Sequence, residues 1–251
     1  MKKLSSILLI LILILSTTLV NGEKVDDKDT ITITIAGDTF MDGSVRAHIN
    51  KKGYEYPWDR IKDYFQKSDL TIINLETSIT KRGSKWPDKK FNFKSSPENL
   101  NFMKEAGVDV VTLANNHVLD YSNEGFIDTL THLEKNEIYY VGGGKNKKEA
   151  LEGAIVETGG VKIGVLAFSR VIPDLNWYAT DKRPGIVGAY DGYTQDMMKR
   201  IEDMKEKVDI VVLSIHWGVE GSTKPRDKEI TLAKKAIDAG VDIIMGHHPH
   251  V

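Results

Sequence analysis

Residues 246 to 250 read Gly-His-His-Pro-His, which places three of the seven histidines of this 251-residue chain within four positions, directly behind the apolar run 241–245. Proline stiffens such a turn and lets two imidazoles converge on one centre. Other apolar runs end in similar residues: Gly37-Asp38 follows the first, Asn74 and Glu76 the second, Asn115-Asn116-His117 the third and His216 the fifth. Taken singly these are ordinary, since an aspartate after glycine is usually a turn residue and polar residues commonly cluster at element ends. Taken together, the carboxylates, amides and histidines at one edge form a set of metal ligands, and none of them helps to bury a core. Two divalent ions about 3.5 to 4 Å apart, bridged by a carboxylate, would use this number of donors and could generate a hydroxide for in-line attack. The chain has no cysteine, so disulfides and thiolate sites are excluded and the donors that remain suit Mn, Mg, Fe or Zn.

Such a set requires strands that finish at one edge. Strand-like apolar runs cover 30–36, 70–75, 108–114, 161–168, 210–215 and 241–245, several of them continuously apolar, as in strands covered on both faces. Helical patterns lie between them. Ser96-Pro97-Glu98 has the composition of a helix start, Leu100, Met103 and Ala106 form its inward stripe, and Gly107 stops it. Met197, Met198, Ile201 and Met204 repeat the helical spacing and are expected in the core; Pro225 opens a further helix that ends at Gly240. Alternating strands and helices predict an α/β fold with a largely parallel sheet, whose ligand site lies beyond the carboxyl ends of the strands. One unit occurs twice: Ala106-Gly107-Val108-Asp109 leads to the Asn115-Asn116-His117 cluster, and Ala239-Gly240-Val241-Asp242 leads to Gly246-His247-His248. His48 and His132 lie in polar surroundings and take no role.

Lys and Arg number 34 against 36 Asp and Glu, which gives no general reason to expect nucleic acid as a partner. The N-terminus differs in kind. Met1-Lys2-Lys3 precedes an apolar run through Leu15 and small residues up to Gly22, the pattern of a signal peptide, or of an N-terminal membrane anchor if it is not cleaved. A spanning helix needs roughly 20 apolar residues, close to the length available here. The expected organisation is therefore a signal or anchor over 1–22, a charged linker over 23–29 and one domain over 30–251, in a protein exported to the outer face of the cytoplasmic membrane or secreted.

The motifs Gly37-Asp38, Asn74-Leu75-Glu76-Thr77, Ala114-Asn115-Asn116-His117 with Asp120, His216-Trp217-Gly218-Val219-Glu220 and Gly246 to His250 together resemble the CapA-type poly-γ-glutamate capsule biosynthesis proteins, in order and spacing from about residue 31 onward. That family is similar to the calcineurin-like metallophosphoesterases. The resemblance implies a two-sheet α/β sandwich with a dinuclear metal site, truncated here at the C-terminus because the family normally continues past this point. It implies metal ligation by Asp38, Glu76 as the bridging carboxylate, Asn116, His216, His248 and His250. His117 would act as general acid or transition-state stabiliser, oriented by Asp120, with His247 and Glu220 as outer neighbours facing substrate. Two departures stand out: Phe40 replaces the second donor of an Asp-x-His first motif, and the bridging position holds Glu rather than Asp.

A basic stretch directly downstream of Glu76 bears on substrate. Lys81, Arg82, Lys85, Lys89, Lys90 and Lys94, interleaved with Trp86, Phe91 and Phe93, form either a solvated loop or a surface that attracts a polyanion. The partners implied are the anionic polymer poly-γ-glutamate, membrane-bound capsule synthesis proteins and the membrane itself through an uncleaved N-terminus. The function expected is synthesis, export or release of that polymer, with metal-assisted hydrolysis or transfer if the protein is an enzyme. A non-catalytic polymer-binding component and a secreted metallophosphoesterase remain as alternatives.

Overall fold

A computed structural model describes residues 30–251; the expected signal or anchor and the whole of the expected linker lie outside the described residues. Two four-stranded sheets form the frame. The first is wholly parallel, with strands Ile33–Thr39 (β1), Leu70–Leu75 (β2), Val110–Thr112 (β3) and Tyr139–Val141 (β4) in the order β1-β2-β3-β4. The second contains Ala154–Thr158 (β5), Val161–Ser169 (β6), Ile210–His216 (β7) and Ile243–His247 (β8) in the order β8-β7-β6-β5, parallel except for the β5–β6 hairpin. The helices are Gly43–Lys52 (α1), Lys62–Phe65 (α2), Asn99–Glu105 (α3), Ser122–Lys135 (α4), Lys147–Glu152 (α5), Thr194–Lys205 (α6) and Asp227–Asp238 (α7). Among the described residues, no helix is long and apolar enough to cross a membrane.

Residue alternation along the strands explains the layering. Leu70, Ile72 and Val110 of the first sheet pack with Ile163, Val165, Val212 and Met245 of the second in a core between the sheets. Ile73, Leu75 and Val111 point the other way, against Leu100 and Met103 of α3 and Phe126, Leu130 and Leu133 of α4. Val211, Leu213 and Ile215 likewise meet Met197, Ile201 and Met204 of α6 and Leu232 of α7. The result is a helix–sheet–sheet–helix sandwich, the α/β architecture expected. Strands covered on both faces need no polar alternation, hence their continuous apolar runs.

Some boundaries move. The first strand begins at Ile33 and reaches Thr39 rather than ending at residue 36, because its register with β2 slips between Ile35 and Asp38. This bulge absorbs an extra residue and keeps Asp38 in the strand, opposite Asn74. Helix α3 starts at Asn99 rather than just after Ser96, because Ser96-Pro97-Glu98 first closes a tight turn in which Asn99 and Leu100 donate to the Ser96 and Pro97 carbonyls.

Candidate metal centre and its proton-handling neighbour

Asp38 and Asn74 lie at the base of the site. Asn74 Nδ2 donates to Asp38 Oδ1 (2.7 Å), while Asn74 Oδ1 accepts from Thr112 Oγ1 (2.9 Å) and Asn115 Nδ2 (3.1 Å). Ser214 Oγ donates to Thr112 Oγ1 (3.3 Å), so the polar net runs from the first sheet into the second. Burial pushes the Asp38 carboxyl up, but its hydrogen bonds to His247 and to the Asn74 amide help to outweigh this and hold it well below the usual carboxylate range.

Three further donors meet above this base. His216 Nε2 is 2.7 Å from Asn116 Oδ1 and 3.4 Å from Glu76 Oε1. Burial, reinforced by the Asp38 charge, raises Glu76 to about 8, and burial drives His216 well below its ordinary value despite Asp38. In the metal-free protein at neutral pH both groups are therefore uncharged, and their contact is not an ion pair. Glu76 Oε1, His247 Nε2 and His248 Nδ1 are buried without hydrogen-bond partners. Buried lone pairs left unmatched are costly, and a cation would satisfy the carboxylate and imidazole atoms among them.

The histidine segment closes the site from the second sheet. His248 and His250 have φ of 93° and 57°, a left-handed conformation unusual outside glycine and frequent at functional sites. Chain ends fray readily, yet this segment is tied at several points. His248 N–H donates to Asp38 Oδ2 (3.1 Å), Gly221 N–H to the Pro249 carbonyl (2.8 Å) and Trp217 N–H to the His247 carbonyl (3.1 Å). Gly218, at φ +100°, lets Pro249 approach, since a Cβ there would lie 2.8 Å from Pro249 Cγ. Two groups of donor atoms result, each mutually within 4.8 Å: Asp38, Glu76 and His216, and Glu76, His248 and His250. Glu76 belongs to both, as a bridging carboxylate must. His247 Nδ1 lies 3.4 Å from Asp38 Oδ1, a neighbour of the ligand set.

His117 stands beside these groups. Its Nδ1 is 2.7 Å from Asp120 Oδ2, which also accepts from Phe93 N–H (2.7 Å). Lys89 Nζ lies 2.8 Å from the same Nδ1 and pairs with the other Asp120 oxygen. One ring nitrogen cannot donate to a carboxylate and accept from an ammonium at once; the fully buried Asp120 takes the proton-bearing Nδ1, and Lys89 neutralises Asp120. The ring packs on Phe93 (centroids 4.3 Å apart), which stacks on Phe40 (4.7 Å). Phe40 therefore supports the His117 ring instead of ligating. Burial lowers His117 and Lys89 below their ordinary values, with Asp120 opposing in both cases.

The remaining basic residues divide. Lys81 pairs with Glu98, Arg82 with Asp128 and Glu124, and Lys94 Nζ sits 4.3 Å over the Tyr121 ring, while Lys85 and Lys90 are exposed. Glu220 is exposed, and its charge acts on both Glu76 and His248.

Residues 32–251 match the family described as bacterial capsule synthesis protein PGA_cap. The chain belongs to that family. It is 32% identical over 229 residues to the capsule biosynthesis protein CapA of Bacillus anthracis, covering 90% of this chain and 56% of that protein. It is 31% identical to the PGA biosynthesis protein CapA of Bacillus subtilis, covering 91% and 60%. A probable polyglutamine synthesis accessory protein of Mycobacterium tuberculosis is 30% identical, over 78% of this chain and 54% of its own length. The chain thus spans a little over half the length of these curated relatives. A crystal structure of a hypothetical protein from Thermus thermophilus shares the fold, with a TM-score of 0.50 at 17% identity over 88% of this chain and 69% of that one.

Of the residues that spacing singles out in this family member, the structure brings Asp38, Glu76, Asn116, His216, His247, His248 and His250 together, with His117 and Asp120 alongside. Lys89 has a different place from the surface role expected of it. Asn74 shares its strand end with Glu76, to which the sequence gives the ligand role, and its own amide contacts reveal it as the hub.

Proposed function

We propose that this protein acts in making, exporting or releasing a poly-γ-glutamate capsule, from the outer face of the cell membrane, through a two-metal hydrolytic or transfer site. One observation carries the chemical part: two donor groups of three residues each share Glu76. Asp38, Glu76, Asn116, His216, His248 and His250 would hold two divalent ions of the Mn, Fe, Zn or Mg type, the oxygen and imidazole set that such metals accept. Bound there, the ions would supply a water deprotonated near neutral pH and positive charge opposite the charge that develops in the transition state.

The chain's own residues contribute the rest. Asp120 accepts from His117 Nδ1 and fixes the ring, which leaves Nε2 as the nitrogen that exchanges a proton with the leaving or attacking oxygen. Lys89, Phe93 and Phe40 hold that pair in place. Asn74 sets the angle of Asp38. The capsule part of the proposal is supported by the names of the Bacillus relatives, and the location by the apolar N-terminal pattern.

Metal analysis of the purified full chain after incubation with Mn or Zn tests the site, with about two ions per chain expected. A chain that retains no metal ends the proposal. The second reading, a polymer-holding component without turnover, is favoured by Phe40 standing where a donor would complete the first motif. Hydrolysis of a generic phosphodiester that is lost in His117→Ala, with metal retained, would decide against it.

A further inference from the structure

The turn over residues 217–221 clasps the segment that carries His248 and His250, and a side chain at the start of α7 grips the turn. Arg226 Nη2 donates to the Gly218 carbonyl (3.0 Å). The same guanidinium donates through Nε to Glu229 Oε1 (2.6 Å), and its Nη2 pairs with that oxygen as well. Glu229 Oε2 accepts the Arg226 N–H (2.6 Å), and the Glu229 side chain is only 3% exposed. A planar guanidinium held at Nε and Nη2 by a buried carboxylate has little freedom left, so the direction of its bond to Gly218 is set.

Helix capping accounts for only half of this arrangement. Glu229 reaching back to the Arg226 N–H caps α7, and that bond needs no arginine side chain. The guanidinium adds a bond that leaves the helix, to the residue on which Pro249 packs. A Cβ at Gly218 would lie 2.8 Å from Pro249 Cγ, and one at Gly246 would lie 2.9 Å from Trp217 Nε1, so the turn and the histidine segment are in close contact at two places. Trp217 N–H and Gly221 N–H hold the carbonyls of His247 and Pro249. His248 and His250 keep a left-handed φ, which persists outside glycine only where the surroundings enforce it. The two donor groups depend on this segment unequally. Asp38, Glu76 and His216 take nothing from it, whereas Glu76, His248 and His250 take two donors of three.

We infer that Arg226, locked by Glu229, is a positioning residue for His248 and His250, acting through the Gly218 carbonyl and Pro249, and that it governs one of the two ion sites and not the other. The inference rests on the proposed function for the ions themselves.

The test uses the full chain, with Mn alone as the probe. Arg226→Met removes the bond to Gly218 and leaves the N–H that caps α7. Calorimetric titration should show one ion bound as in the wild type and the other weakened about 10- to 100-fold, the loss typical of residues that orient a ligand. Wild-type affinity for both ions overturns the inference. An equal loss at both also overturns it, since general softening of the fold would give that result. Arg226→Met combined with Glu229→Gln covers the case in which the single variant, with its buried carboxylate unpaired, does not fold; the same split between the ions is expected of it. Hydrogen exchange in EDTA reads the grip without metal. The Trp217 and Gly221 amides should exchange faster in the variant, while those of Val212 and Leu213 in β7 keep their rates; unchanged exchange at Trp217 and Gly221 overturns the inference. Faster exchange there, in a protein whose wild type takes up no metal, would leave the positioning role standing while the two-metal proposal falls. A wild type with two ions and a variant identical to it in exchange and affinity would do the reverse.

Discussion

Glu76 Oε1 lies 3.4 Å from His216 Nε2, and neither group is charged in the metal-free protein at neutral pH. Burial first, and the Asp38 charge second, bring the Glu76 carboxyl to about 8 from an ordinary 4.5. The metal-free fold thus keeps a proton that the unfolded chain has released. Between about 4.5 and 8 this group's contribution to stability falls as pH rises, since the unfolded state binds fewer protons than the native one. Glu76→Gln should remove that slope, seen as a flatter dependence of Tm on pH in EDTA. Wild-type protein should also release close to one proton from Glu76 on taking up metal at neutral pH, measured by calorimetry in buffers of different ionisation enthalpy. Identical pH slopes in the two proteins would count against the buried, protonated Glu76.

Lys89 and Asp120 form a buried pair, so removing either partner leaves the other charge unmatched. Lys89→Met and Asp120→Asn should each lower stability by ~3–5 kcal/mol in urea unfolding. The double substitution should cost ~1–3 kcal/mol less than the sum, the coupling expected of groups in direct contact. Strict additivity would show that the pair is not a unit.

These two contacts also mark what the sequence could and could not disclose. Asp38, Glu76, Asn116, His216 and the histidine segment were legible because an apolar run that ends in a donor residue has a simple meaning: a covered strand finishing at the site. The α/β class followed from the alternation of strand and helix patterns, whereas the two-sheet sandwich was implied only by the family resemblance. Lys89 was not legible, because its position depends on how the segment after Glu76 folds back, with Trp86 N–H on the Asp120 carbonyl and Phe93 N–H on the Asp120 carboxylate. A run of lysines looks alike whether one of them is buried or all are solvated.

Asn74→Ala tests the amide hub. It leaves Thr112 Oγ1 and Asn115 Nδ2 without their shared acceptor and Asp38 Oδ1 without its amide donor. The expected cost is ~1–3 kcal/mol of stability for the buried groups left unsatisfied. Metal affinity should fall about 10- to 100-fold, as for other residues that orient a ligand. Full metal affinity in a stable variant would show that Asp38 needs no such support.

Gly218→Ala tests the histidine segment without touching a donor atom. The new Cβ would meet Pro249 at 2.8 Å, and the φ of +100° disfavours any side chain. The turn carrying His248 and His250 should shift, lowering metal affinity while the inter-sheet core holds and the cooperative unfolding transition remains. Unaltered metal affinity would place the His248 and His250 atoms outside the ligand set.

The donors are divided between the sheets: Asp38 and Glu76 come from the first, His216, His248 and His250 from the second, and the His248–Asp38 contact joins positions 210 residues apart. Whatever occupies the cluster therefore rivets the two layers of the sandwich to each other at one end. Closing so long a loop removes much of the freedom of the unfolded chain, and any binder that prefers the closed form adds its own mass-action term. With an ion bound as proposed, loading and cohesion of the sandwich would be one equilibrium, and removal of the ion should loosen the seam between the layers before it weakens either layer alone.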